Sequence, residues 1–207
     1  MIRTDKGFSD AVEHAVRQAE KGTAAELVVV VAARSGSYLD VALAIGAVAS
    51  MLVLGGALFA PAVFHPAAVA LEVPLVFALS AWLSHRTPGL LRRLTPGRRM
   101  AEHVERAASA RFVEEAVHGT RSRTGLLIYL SLLEERAVLI ADLGLQGLVP
   151  ATAWQDVRWS DTGDSVGPHD QAGVIRGIGE IGAILRAHAP GEDRDGNESP
   201  DAPRILA

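Results

Sequence analysis

No Asp, Glu, Lys or Arg stands between Val41 and Leu71, although charged residues are spread through the rest of this 207-residue chain. The apolar character then continues to about Ser84. A bilayer-spanning helix needs roughly 20 apolar residues at about 1.5 Å rise each, so the region is long enough to enter a membrane twice. Two spans are predicted, at about 41–60 and 67–84. The first, VALAIGAVASMLVLGGALFA, has neither charge nor proline, and its Gly46, Ser50, Gly55 and Gly56 offer a face for a second helix. Pro61 and Pro66 bracket a short turn containing Phe64 and His65. The second span carries Glu72 and Pro74 in its first turns and Trp82 near its end, a residue suited to a membrane interface.

The flanks set an orientation. The turn between the spans has no Lys or Arg, whereas Arg86, Arg92, Arg93, Arg98 and Arg99 follow the second span, and Lys21 and Arg34 precede the first. Positive residues stay on the cytoplasmic side, so both termini are expected there. The same arginines are placed to meet anionic headgroups. Lys6 and Lys21 are the only lysines. That bias suits a GC-rich bacterial genome, and the bacterial inner (plasma) membrane is the expected location.

With no cysteine, the chain has no disulfides, no thiolate chemistry and no cysteine-held metal centre. A net charge of −4 gives no support to a nucleic-acid partner. The bilayer itself and a membrane or cytoplasmic protein are the expected partners.

The polar segments before and after the hairpin read as one domain. Residues 4–21 form an amphipathic pattern with Phe8, Val12, Ala15, Val16 and Ala19 on one face; Asp10 and Glu13 have capping-box spacing. Leu27–Ala33 is an apolar, valine-rich run suited to a strand buried on both faces. After the hairpin come a helix over Arg98–His118, a strand over Gly125–Leu132, a polar turn at Glu134–Arg136 and a strand over Ala137–Ala141. Pro150 suits the first turn of a short helix through ATAWQDV, and Gln171–Ala189 is a last helix with Val174, Ile175, Ile178, Ile181 and Leu185 inward. Its glycines are costly in a helix interior and point to close packing against a sheet. A lone first strand needs partners, which lie beyond the hairpin. A βαβ unit with the hairpin inserted in its crossover follows, requiring 1–40 and 86–189 to share one side of the membrane. Residues 190–207 are acidic and rich in Gly and Pro, and read as a disordered tail.

The stretch RTGLLIYLSLLEERAVLIADLGLQGLVPATAW, residues 123–154, resembles the core of the TPM domain family in its bacterial membrane-anchored branch. Arg123, Thr124, Gly125, Ser131, Leu132, Glu135, Arg136, Val138, Asp142, Gly144, Val149, Pro150 and Trp154 carry the resemblance. Residues 8–31, a helix followed by AAELVVVV, resemble the family's opening. The resemblance implies an α/β sandwich with a mixed central sheet and helices on both faces, here interrupted by a two-helix transmembrane hairpin. It also links the chain to a family with photosystem-repair and receptor-accessory roles, for which a weak acid phosphatase activity has been proposed; an assembly or quality-control role is the expectation drawn from it. No catalytic residue is carried over, and the expected cytoplasmic placement departs from the family's usual arrangement of signal peptide, extracytoplasmic domain and C-terminal anchor.

Three polar positions are candidates for binding. Asp142 ends the third strand beside Gly144, and strand ends are where α/β sheets hold ligands; the alternative is a turn carboxylate bonded to backbone amides. Glu26 opens the first strand, and Arg123, with Arg121, precedes the second. Asp161, Asp164 and Asp170 crowd one loop, and their oxygens suit a hard cation such as Ca²⁺ or Mg²⁺. Trp154 is expected in the core, and Trp159 in the core or at the membrane. The histidines have no metal-ligand spacing, and neither a nucleophile elbow nor a phosphate loop occurs. The expected function is therefore a non-enzymatic protein-interaction module at the membrane. The alternative is a metal-dependent phosphohydrolase using Asp142 and the aspartate loop.

Overall fold

A computed structural model of the chain describes residues 2, 4–61, 64–120, 122–159, 167–168, 170–191 and 201–206. The chain divides into two compact units, one of residues 1–35 with 101–207, the other of residues 36–100.

The first unit is a mixed α/β sheet covered on both faces. Helix α1 (Lys6–Glu20) leads into β1 (Glu26–Ala32). Asp5, not Asp10, caps α1, its carboxylate accepting from the Phe8 N–H. Beyond the inserted unit, β2 (Gly125–Ser131) lies parallel to β1 with Glu26 opposite Gly125, and β3 (Arg136–Ala141) returns antiparallel to β2. The parallel pairing of β1 and β2 is the one the crossover reading required. A fourth strand, β4 (Arg204–Leu206), completes the order β3-β2-β1-β4 by pairing parallel to β1.

Alternation along β1 explains its unbroken apolar sequence. Leu27, Val29 and Val31 join Leu126, Ile128 and Leu130 in a core under α1 and a late helix. Val28, Val30 and Ala32 join Leu127 and Tyr129 under Val104 and Ala108 on the opposite face. A strand buried on both sides has no position for a polar side chain.

β4 corrects the expectation of a disordered tail for its last residues. The average composition of 190–207 concealed an apolar pair, Ile205–Leu206, at its end. β1 would otherwise present unpaired backbone groups at the sheet edge. The Ala33 N–H donates to the Leu206 carbonyl, Leu206 packs against the second core, and Arg204 pairs with Glu115 at 3.1 Å.

In the second unit, α2 (Leu39–Phe59) and α3 (Pro66–Arg86) form an antiparallel hairpin. Both helices are long and apolar enough to cross a membrane, and most of their large side chains face outward. The buried residues of the two helices are small, Ala42, Gly46 and Ser50 on α2 and Ala81 and Ser84 on α3, and Gly46 packs on Phe77 and Ala81. A Cβ on Gly46 would stand 2.7 Å from the Phe77 carbonyl oxygen, so only glycine allows this approach. Gly55 and Gly56 were expected on the same face but meet no neighbouring atom. Ser50 and Ser84 bond to carbonyls of their own helices, which keeps the seam free of unsatisfied hydroxyls. A short helix, α4 (Pro88–Leu94), follows, and α5 (Gly97–Glu114) runs from this unit into the first.

Two shorter corrections concern the end of the first unit. Helix α6 (Leu143–Leu148) precedes Pro150, and the ATAWQDV segment holds only a 3-10 turn at Ala153–Asp156. In α7 (Gln171–His188), Val174, Ile178, Ile181 and Leu185 are fully buried, whereas Ile175 is 37% exposed. The α7 glycines meet no sheet. Gly182 packs on α1, Gly177 on the buried Trp159 ring, and Gly173 on the Trp159 backbone. Trp154 is half-buried against the first core.

Candidate functional site

The binding candidates Asp142, Glu26 and Arg123 fall at one end of the sheet. Because β3 runs antiparallel, its carboxyl end lies at the amino ends of β1 and β2. Asp142 is therefore on the edge opposite the one where parallel strands usually hold ligands.

On this amino edge, Arg123, Asp142 and Gly144 build a tight corner. Arg123 has a left-handed backbone, φ +56°, and its Nε and Nη2 donate to the two Asp142 carboxylate oxygens at 2.7 and 2.9 Å. Asp142 also caps α6, accepting from the Leu143 N–H at 2.8 Å. The Gly144 N–H donates to the Arg123 carbonyl at 2.9 Å, and a Cβ on Gly144 would stand 2.6 Å from that oxygen. Thr124 extends the corner: its hydroxyl donates to the Ala24 carbonyl at 2.7 Å, just ahead of β1. Glu26, half-buried, opens β1 on this edge, its N–H donating to the Thr124 carbonyl.

Electrostatics follow from that geometry. The Arg123 guanidinium holds the Asp142 carboxyl below the usual carboxylate range; burial opposes this, and the Leu143 N–H adds to the lowering. The Asp142 side chain is 2% exposed while that of Arg123 is 49% exposed. Asp142 is thus a constitutive anion already bonded to its own chain. The bonded-turn alternative describes it, except that a guanidinium replaces the second backbone amide.

The aspartate loop is placed only in part. Asp170 caps α7, accepting from the Gly173 N–H at 2.8 Å. Asp161, Asp164 and Arg121 lie outside the described residues. Among the described residues no group of three acidic or histidine side chains is arranged to hold a metal ion.

The carboxyl edge of β1 and β2 holds a polar cluster that sequence reasoning missed. Glu134, 4% exposed, accepts from the Ser35 N–H at 3.1 Å and from the Ser131 hydroxyl. The Ser35 hydroxyl lies 2.6 Å from Ser131 Oγ and 3.0 Å from the Tyr129 hydroxyl. Burial pushes the Tyr129 phenol above its ordinary pKa. The cluster joins the end of β1 to the β2–β3 turn, where Glu135 has φ +48°. Ser131 is 2% exposed, so this serine–carboxylate pair is closed to a substrate and acts as a lock. Nothing in the string LLEER distinguishes Glu134, which turns inward, from Glu135.

A groove of about 570 Å³ lies between α1 and α7. Ala11, Ala15, Ile175 and Gly179 give it an apolar floor, with His14 and Arg186 among its polar margins.

No family model and no curated protein matches the chain. Among solved structures, it is similar to the NMR structure of the BA42 protein from the psychrophilic bacterium Bizionia argentinensis. The match has a TM-score of 0.56 and 16% identity, covering 97% of this chain and 94% of that one. The likeness is one of fold. It supports the α/β architecture and carries no activity across.

Proposed function

We propose that this chain is a membrane-anchored, TPM-like protein whose α/β unit binds a protein partner and does not itself catalyse a reaction. In this reading the α2–α3 hairpin spans the bacterial inner membrane and both termini are cytoplasmic. The TPM assignment rests on residues 123–154, whose Arg123, Asp142 and Gly144 meet in one corner. The observation that carries the interaction role is a contrast. The Asp142 carboxylate at one end of the sheet and the Ser35, Ser131 and Glu134 side chains at the other are bonded within the chain, while the apolar α1–α7 groove is open. A metal-dependent phosphohydrolase would need the Asp142 carboxylate for its substrate or ion, and Arg123 and Leu143 already occupy both oxygens.

A groove floored by alanine and glycine accepts an apolar side chain or a helix at close range. Detergent-solubilised, tagged protein should retain a reproducible partner, and Ile175→Glu should release it. Ile175 is 37% exposed, so the substitution should leave the melting temperature within about 2 °C of wild type. Equal recovery of the partner with Ile175→Glu would exclude the groove. The absence of any reproducible partner would count against the interaction role.

A further inference from the structure

The base of the hairpin combines three features that the proposed partner surface does not use. The first is charge. Within residues 36–100, all five arginines (Arg86, Arg92, Arg93, Arg98 and Arg99) lie in the last turn of α3 or beyond it, and the acids are only Asp40 and Glu72. Asp40, at the start of α2, is held by Arg99 through two bonds of 2.6 and 3.0 Å, so the other four arginines outnumber the one remaining acid of this unit, Glu72. The second is an aromatic–cation pair. Trp82 is 56% exposed near the end of α3, and the Arg86 guanidinium lies over its ring at 5.3 Å. The third is α4 itself. Leu91 is buried and anchors the helix, while Leu90, Arg93 and Leu94 are exposed.

We propose that this base, through Arg86, Arg93 and Arg98 beside α4, binds the phosphate groups of anionic phospholipids. The inference rests on the reading that the hairpin spans a bilayer. Each helix has 21 residues, or about 31 Å at 1.5 Å per residue, against a hydrocarbon core of about 30 Å. The residues just beyond Arg86 therefore emerge at headgroup level. A tryptophan stacked under an arginine suits that boundary. Guanidinium groups bind phosphate through paired N–H donors, which lysine lacks. Leu90 and Leu94, one turn apart, place apolar surface where acyl chains begin, while Arg93 stays among headgroups.

The test uses the full chain reconstituted in phosphatidylcholine vesicles containing phosphatidylglycerol. Brominated acyl chains, placed in one lipid class at a time, quench nearby tryptophan. Trp82→Phe identifies the Trp82 signal against Trp154 and Trp159. Brominated phosphatidylglycerol should quench Trp82 with an apparent preference of about 5-fold or more over brominated phosphatidylcholine, from roughly 5-fold per engaged arginine. The preference should fall several-fold in Arg93→Gln/Arg98→Gln and in 0.5 M salt, with an unchanged melting temperature. Equal quenching by both lipids in wild type, or a preference that survives the double substitution, overturns the headgroup site alone. Absence of Trp82 quenching by either lipid overturns the spanning reading, and the headgroup site with it.

Discussion

The four glycines of α7 give a sharp test of the packing, because they share one helix and differ in what lies beside them. A Cβ at Gly182 would stand 2.7 Å from the Ala19 Cα and 2.8 Å from its Cβ. The obstacle is mainly the backbone of α1, which cannot rotate away. Overpacking of this kind costs about 1–3 kcal/mol, and a contact with backbone belongs in the upper half of that range. Alanine recovers roughly 1 kcal/mol of helix propensity, leaving a net loss of about 1–2 kcal/mol. At Gly179 no heavy atom lies within 4 Å, so the alanine gain of about 0.4–1 kcal/mol has nothing to offset it. For a chain of this size about 1 kcal/mol moves the melting temperature by roughly 2–4 °C. Gly182→Ala should therefore melt about 2–8 °C lower and Gly179→Ala about 1–4 °C higher, read by tryptophan fluorescence or circular dichroism of the full chain in detergent. Gly177→Ala, which meets the Trp159 ring, should also melt lower and shift the fluorescence. Equal tolerance of alanine at 179 and 182 would refute the close α1–α7 contact.

Three other sites make separate predictions. Asp142→Ala removes the α6 cap, worth about 0.5–2 kcal/mol, together with the Arg123 pair; Asp142→Asn keeps the capping oxygen and should fall between wild type and Ala in denaturant. Since the folded-state pKa of Asp142 is lowered, its stabilisation is complete above the unfolded value of about 3.9 and is lost as pH falls through the folded one. The gap between wild type and Asp142→Asn should accordingly close below about pH 4; a gap constant to pH 2 would refute the ion pair. Glu134→Ala leaves the half-buried Ser35 N–H and the buried Ser131 hydroxyl without the Glu134 acceptor and should cost about 1–3 kcal/mol in urea, with Glu134→Gln costing less. Truncation after Pro203 removes β4 and should speed hydrogen exchange at Ala33, whose N–H donates to Leu206; unchanged exchange would show that β4 does not pair there.

The elements legible in the sequence were those with one strong period or one strong composition. β1, β2, β3 and the two apolar helices fall within a few residues of their expected limits. Less was legible where a short-range signal competed with tertiary contacts. Asp10 and Glu13 have the spacing of a cap, but Asp5 stands where α1 begins. Pro150 reads as a helix start, yet Asp142 had already started α6. The apolar end of the tail is too short to register in a compositional window, and it becomes a strand only because β1 offers an edge. Asp142 was found because carboxylates at strand ends are conspicuous. Its surroundings were not legible, since the direction of β3 decides which edge it occupies. Glu134 was invisible because nothing local marks which of two adjacent glutamates turns inward.

The segments on either side of the hairpin build one sheet, which places them on one side of any membrane the hairpin crosses. The cysteine-free chain allows a direct measurement: single cysteines at the exposed positions Gln18, His65 and Gln146, labelled from each side of intact membranes with an impermeant maleimide. Positions 18 and 146 should react from the same side and position 65 from the other. Reaction of 18 and 146 from opposite sides would be incompatible with a β1–β2 ladder.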